Sequence, residues 1–290
     1  MDNYDGSMAS LHPLSTLATR EPDPLRRALR AQAREIVARE PGTRLGSDPE
    51  ELHKQRVATR RLRSLLRSTR ERIEDLNRGA RLESELRWLG GVLGEVRDRD
   101  VLSSHLIGGL GTIEEGASFG GILELLDGER EEARHALIDA LDSTRYATLL
   151  AEFDSPPALR EGERFATAVA AEYERLRKAA KRLGTDSSDA ELHRVRIRAK
   201  RSRYAAEALG GEPRFVARAK LLQDVLGEHQ DAVVAEKRIR ELIAAVRGTG
   251  RTALVAGRLI ERQRRRRIEA REAWPKAWAR LRRAGDDAWR

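Results

Sequence analysis

Apolar residues fall at helical spacing through long stretches of this chain, and no run of alternating β-branched residues interrupts them. Leucines or alanines at i, i+3, i+4 and i+7 share one face of an α-helix, whereas a half-buried strand needs a period of two. No Asn-Gly hairpin turn occurs either. The apolar fraction is 40%, mostly Leu, Ala and Val, and the charged fraction is 36%. That balance belongs to long amphipathic helices, and 290 residues suffice for one full core or two small ones. The expected fold class is all-α.

Punctuation divides the chain. Pro24 suits the first turn of a helix running to about Glu40, where "PGTRLG" should end it. Ser47 and Glu50 form a capping-box pattern that opens a second helix. A third pattern runs from about Ala80 through "LRWLGGVLGEVRDRDVLSSHL", is broken by glycines near 108–121, and gives way to a fourth over about Phe119 to Leu150. The Pro-rich "FDSPPAL" (153–159) marks the boundary between two halves, 21–153 and 158–290, and residues 1–20 read as a flexible tail. The second half then offers a helix over about Leu159 to Leu183 and a capping box at Ser188 and Glu191. A break at "GGEP" (210–213) precedes a long helix through "LLQDVLGEHQDAVVAEKRI", and the last helix covers about Thr252 to Arg283.

The two halves repeat each other. "ELHKQRVATRRLR" (51–63) matches "ELHRVRIRAKRSR" (191–203), and "VLGEVRD" (92–98) matches "VLGEHQD" (225–231), in the same order. Internal duplication is the economical reading: two four-helix units, each with a basic helix and an "LGExxD" helix.

At about 100° per residue, His53, Arg56, Arg60, Arg63 and Arg67 share an arc of about 80°, opposite Ala58, Leu62, Leu65 and Leu66. Lys54 and Arg61 flank this stripe. His193, Arg196, Lys200 and Arg203 repeat its register, and Arg194 and Arg201 repeat the flanks, but Glu207 stands where the first copy has Arg67. Solvated helix faces normally mix signs and gain from i,i+4 pairs. Here six cations within 54–67 have no acid among them. Like charges at this spacing oppose folding, which points to an anionic ligand.

The net charge of +9 agrees, and all but seven of the 56 Lys and Arg residues are arginine, whose planar fork suits phosphate oxygens. Nucleic acid, an anionic membrane surface or polyphosphate would fit. The absence of cysteine excludes disulfides, Cys-ligated zinc, Fe–S clusters and thiol nucleophiles. The histidines lack the HxxxH or HExxH spacing of a metal site. His53 and His193 either donate to a bound phosphate or, as neutral groups, orient a neighbour. Glu95, Asp98, Glu228 and Asp231, at i,i+3 in "LGExxD", read as carboxylates that pair with arginines and fix them, rather than as a catalytic pair. The run "RQRRRR" (262–267) is an open case as an extension of the basic surface. No apolar stretch approaches signal-peptide or membrane-spanning length, so a cytoplasmic protein is expected.

The blocks "LHKQRVATRRLRSLLR", "LHRVRIRAKRSRYAAEAL", "LGEVRDRDVL" and "LQDVLGEHQDAVV" closely resemble the signatures of the CHAD domain, the conserved-histidine α-helical domain, over about Pro24 to Arg283. The resemblance implies two four-helix bundles about a pseudo-twofold axis, with basic residues of both halves lining a central cavity or groove. It also implies binding of inorganic polyphosphate, association with polyphosphate granules, and no catalysis by the domain itself. Carried over by position, the family's histidines fall on His53 and His193. Its basic positions fall on Arg56, Arg60, Arg63, Arg196, Lys200 and Arg203, with Lys54, Arg61, Arg194 and Arg201 beside them. Gln230 replaces the counterpart of Arg97, and "ESELR" (83–87) departs from the E-x-E-x-K of a fused triphosphatase. No cofactor, metal or obligate protein partner is implied. The alternatives are a helical protein gripping a nucleic-acid backbone, with few aromatics near the stripes beyond Tyr204 and Trp88, and a metal-dependent phosphohydrolase.

Overall fold

A computed structural model describes residues 23–111, 119–160, 165–184, 186–246 and 249–289, so the tail expected at 1–20 lies outside the described residues. Nine α-helices occur among them: α1 Pro24–Leu45, α2 Pro49–Ser68, α3 Leu76–Leu110, α4 Gly120–Asp142, α5 Thr144–Asp154, α6 Phe165–Ala180, α7 Asp189–Ala208, α8 Pro213–Ala245 and α9 Gly250–Ala288. The fold is all-α. Its extended pairing, among the described residues, is one isolated antiparallel bridge between Ile73 and Leu159.

Several boundaries differ from the sequence expectation, each for a local physical reason. Helix α1 passes through Pro41 and ends instead at Gly46, whose φ of 71° is the left-handed conformation that glycine tolerates. Arg134 of α4 donates to the carbonyls of Thr43 and Arg44 at 3.3 and 2.6 Å, satisfying acceptors that α1 leaves at its end. Helix α2 is capped by Asp48 and not by Ser47. The Asp48 carboxylate accepts from the Glu50 N–H at 2.8 Å, and Pro49 takes the first helical position, where no donor is needed. The Ser188–Glu191 box forms as expected, with both reciprocal hydrogen bonds.

The single fourth helix expected to Leu150 is two helices. Ser143 adopts an extended ψ of 148° and caps α5 through the Tyr146 N–H, which redirects Tyr146, Leu149 and Phe153 into the core. Helix α3 begins four residues earlier than Ala80, with Asp75 as its cap. Leu159 is not helical: the Glu74 N–H donates to Ala158 O at 3.0 Å and the Arg160 N–H to Arg72 O at 2.8 Å, strapping the boundary segment onto the first half. Helix α9 outruns its expected limits at both ends, with Thr249 as its cap.

One apolar cluster runs through both halves, from Leu25 and Ile36 of α1 through Leu65 of α2 and Leu89 of α3 to Leu192 of α7, Leu226 of α8 and Leu281 of α9. The halves therefore share a core. Each fully buried leucine contributes about 1.5–3 kcal/mol of transfer free energy. A second cluster, including Leu106, Phe119, Leu126, Ile239 and Leu259, fills the far end between α3, α4, α8 and α9. Helices α2 and α7 pack against each other; α1 and α3 flank α2, while α6 and α8 flank α7. No described helix is long and apolar enough to cross a membrane.

Candidate anion-binding cavity

The apolar faces fix where the cations go. Leu52, Ala58, Leu62 and Leu65 of α2 are buried, as are Leu192, Val195 and Ala199 of α7, so each helix has one orientation available. In that orientation His53, Arg56, Arg60 and Arg61 face His193, Arg196, Lys200 and Arg203 across one cavity of about 690 Å³. Helix α3 adds Arg97, Asp98 and His105, and α8 adds Gln223, Gln230 and Asp231. Seven Lys or Arg side chains thus meet two carboxylates, leaving a strong positive excess.

The "LGExxD" blocks supply both a seat and a tether. Arg56 lies across α3, its Nη2 3.1 Å from Asp98 Oδ1. A Cβ at Gly94 would stand 3.3 Å from the same Nη2, so glycine makes room for the guanidinium. Arg196 lies likewise over Gly227, with Nη2 3.8 Å from Asp231 Oδ1. At one end of the cavity Glu207 joins the two helices, accepting from Arg61 at 3.2 Å and from Arg203 at 3.0 Å. Both guanidiniums also lie over the Tyr204 ring, at 5.6 and 4.8 Å from its centroid.

Arg60 and Lys200 make no ion pair among the described residues. Lys200 is 8% exposed. Burial, reinforced by Arg60, Arg196 and Arg56, pushes its ammonium down to about 6. Burial likewise holds the Arg56 and Arg196 guanidiniums below their ordinary value, partly offset by Asp98 and Asp231. His53 is held below the usual imidazole value by burial and then by Arg97; His193 by burial and Arg196, against a hydrogen bond with Gln230. Without a bound anion both imidazoles are neutral at pH 7, and the Nδ1 atom of each lacks a hydrogen-bond partner.

Not every candidate reaches the cavity. Lys54 turns to Glu51 at 3.7 Å. Arg67, Arg194 and Arg201 line a separate groove beside α6, and Arg63 stands between the two regions without lining either. Glu95 pairs with Arg99 and Glu228 with Arg266, both away from the cavity walls. Most of the 262–267 run is tied to neighbouring helices: Arg264 pairs with Glu236, Arg266 with Glu228, and Arg267 with Asp189 and Glu236, while the exposed Arg265 meets Glu261 of its own helix. Sequence reading missed His105 and Gln223. A signal existed, since His105 follows Asp98 by seven residues and Gln223 precedes Gln230 by seven, two helical turns along the same face. No group of three His, Cys, Asp or Glu side chains able to hold a metal ion occurs among the described residues.

Fold and site together define a class: all-helical proteins with a cation-lined cavity between two basic helices. The profile of the CHAD domain matches residues 27–240, and the chain belongs to the CHAD domain family. Two curated relatives are uncharacterized proteins of Mycobacterium tuberculosis, from strains CDC 1551 / Oshkosh and H37Rv. Each is 34% identical over 258 residues, covering 83% of this chain and 50% of the relative. The chain therefore spans about half the length of the curated relatives it matches. The crystal structure of the CHAD domain from the plant Ricinus communis superposes with a TM-score of 0.71 at 28% identity, over 87% of this chain and 91% of that one. PptA from Streptomyces chartreusis shares the fold, with a TM-score of 0.76 at 24% identity over 89% and 98% of the two chains.

Proposed function

We propose that this protein binds inorganic polyphosphate in the cavity between α2 and α7, without catalysis by this domain. The observation that carries the reading is the convergence of Arg56, Arg60, Arg61, Arg196, Lys200 and Arg203 from two separate helices on one space. Arg60 and Lys200 have no carboxylate partner there, Asp98 is hydrogen-bonded to Arg56, and Asp231 stands a longer 3.8 Å from Arg196. An unbranched chain of phosphates supplies the missing counter-charge along both walls. Guanidinium forks grip its oxygens, and a bound chain favours protonation of Lys200, His53 and His193. The CHAD resemblance of the sequence supports the same ligand, and with it a place at cytoplasmic polyphosphate granules.

A nucleic-acid backbone is the second reading. The cavity's one phenyl-type ring, Tyr204, is 6% exposed and lies under Arg61 and Arg203, so it offers a base little to stack on. Competition between labelled long-chain polyphosphate and RNA or duplex DNA tests the ranking. Polyphosphate should win, with log K falling against log[salt] at a slope of about −4 if about six phosphates are neutralised. Tighter binding of nucleic acid overturns the reading. Release of orthophosphate with Mg²⁺, lost on Glu95→Ala or Asp98→Ala, would overturn the non-catalytic assignment.

A further inference from the structure

A groove of about 420 Å³ lies between α6, α7 and the C-terminal end of α2. Arg67, Arg182, Arg194, Arg198 and Arg201 line it, against the single carboxylate Glu191. Arg194, Arg198 and Arg201 are spaced i, i+4, i+7 and form a second stripe on α7, beside the one that faces the cavity. The internal repeat does not explain this stripe: the counterpart of Arg198 is Ala58, which is 2% exposed in the core. Nor is the stripe neutralised by the fold. Arg182, Arg198 and Arg201 make no ion pair among the described residues, and the contacts of Arg194 with Glu191 and of Arg67 with Glu83 are 3.7 and 3.8 Å long. Arg63 links groove to cavity. Its guanidinium is depressed first by burial, then by Arg60 of the cavity, by Arg87 of α3 and by Arg67 of the groove, against Glu83. Arg201 is depressed by burial and by Arg67, Arg198 and Arg63, against Glu172. Arg63 thus stands within electrostatic reach of cations in both spaces.

We propose that this groove is a second anion-binding site, which takes a further segment of the same polyphosphate chain as it leaves the cavity past Arg63. The inference rests on polyphosphate being the cavity's ligand. It makes the protein a reader of chain length: short chains occupy the cavity alone, and long chains gain the groove as an intramolecular contact of high effective concentration.

The test uses Arg182→Gln with Arg198→Gln, two positions outside the cavity, and a control pair of equal charge, Arg214→Gln with Arg251→Gln. Affinity is measured for a short chain of about eight phosphates and a long chain of about a hundred, the size at which avidity through a second subsite separates them. The groove pair should weaken long-chain binding about tenfold and make its salt slope shallower by about 1.4, the single-strand coefficient for two phosphates. Short-chain affinity and the control pair should keep wild-type values. Unchanged long-chain binding in the groove pair overturns the proposal, as does an equal loss for both lengths. If the wild-type protein binds neither length, the polyphosphate reading itself falls; if it binds both and the groove pair behaves like wild type and the control, the second site alone falls.

Discussion

The basic faces of α2 and α7 and the 262–267 run of α9 are both dense in arginine, and the fold treats them in opposite ways. On α9 the guanidiniums are used internally: Glu236, 6% exposed, receives Arg264 and Arg267 together with Arg240 of α8, while Asp189 receives Arg267 and Arg271. Between α2 and α7, like charges are brought together and Arg60 and Lys200 are left without an acid. The longer uninterrupted run is structural and the more dispersed stripe is free for a ligand. Density of charge in sequence does not locate a polyanion site; surplus of charge after folding does.

Four kinds of probe, from charge reversal to the loss of a single carboxylate, bear on that contrast. Arg60→Glu with Lys200→Glu should abolish polyphosphate binding, a loss of about 100-fold or more given reversed rather than missing phosphate contacts, with helicity retained. Arg264→Gln with Arg265→Gln should leave the affinity within about threefold of wild type. Circular dichroism and direct titration read both variants, and equal losses in the two pairs would erase the distinction.

Glu236→Ala reverses the pattern. It strands several guanidiniums around a buried position and should cost about 3 kcal/mol of stability, seen as a lowered Tm, with polyphosphate affinity unchanged below the transition. In the cavity, Lys200→Met should raise stability at neutral pH by about 1–4 kcal/mol, because it removes an amine that must give up its proton to be buried among other cations.

The third probe is pH. The Lys200 ammonium is depressed in the folded protein, so the unfolded chain binds its proton more readily between about 6 and 10.5. Stability of the unliganded protein should therefore rise with pH across that window. A bound polyanion returns the proton, so Lys200 should contribute a rise in affinity of at most about tenfold per unit as pH falls from 8 towards 6, and protonation of His53 and His193 should carry the rise to lower pH. Lys200→Arg, charged at every pH used, should remove the Lys200 part of the profile and leave the histidine part.

The smallest effect belongs to Glu207. It holds Arg61 and Arg203 as a carboxylate stand-in for a phosphate. Glu207→Gln should free both cations and tighten binding about threefold at low salt, vanishing as salt screens the exposed end of the cavity.

The helices and the stripe were legible because apolar and basic residues alternate at helical period in the same twenty residues of α2 and of α7. A helical wheel gives angles about one axis, however, and not which neighbour stands at each angle. Arg194 and Arg201 were therefore grouped with the cavity, although α6 packs on their side of α7. Arg67 fell in the right arc but lies in the groove beside α6. The end of α1 was misread because Pro41 is tolerated inside the helix: Gly46 supplies the left-handed cap, and Arg134, some ninety residues away, satisfies carbonyls of the extra turn. Ser47 and Asp48 both suit a cap; the fixed φ of Pro49 at the first helical position decides for Asp48. The glycines of "LGExxD" were visible, but their use as seats for Arg56 and Arg196 required the packing of α2 on α3 and of α7 on α8.

The shared leucine core bears on selectivity as well as on stability. Each half supplies one wall of the cavity, and a close-packed interior resists the small hinge that would widen the gap between them. The two walls behave as a calliper of set opening. On the proposed reading a thin, unbranched filament would enter and be gripped along its length, whereas a duplex of equal charge, being broader, would be held at the rim and miss the innermost cations.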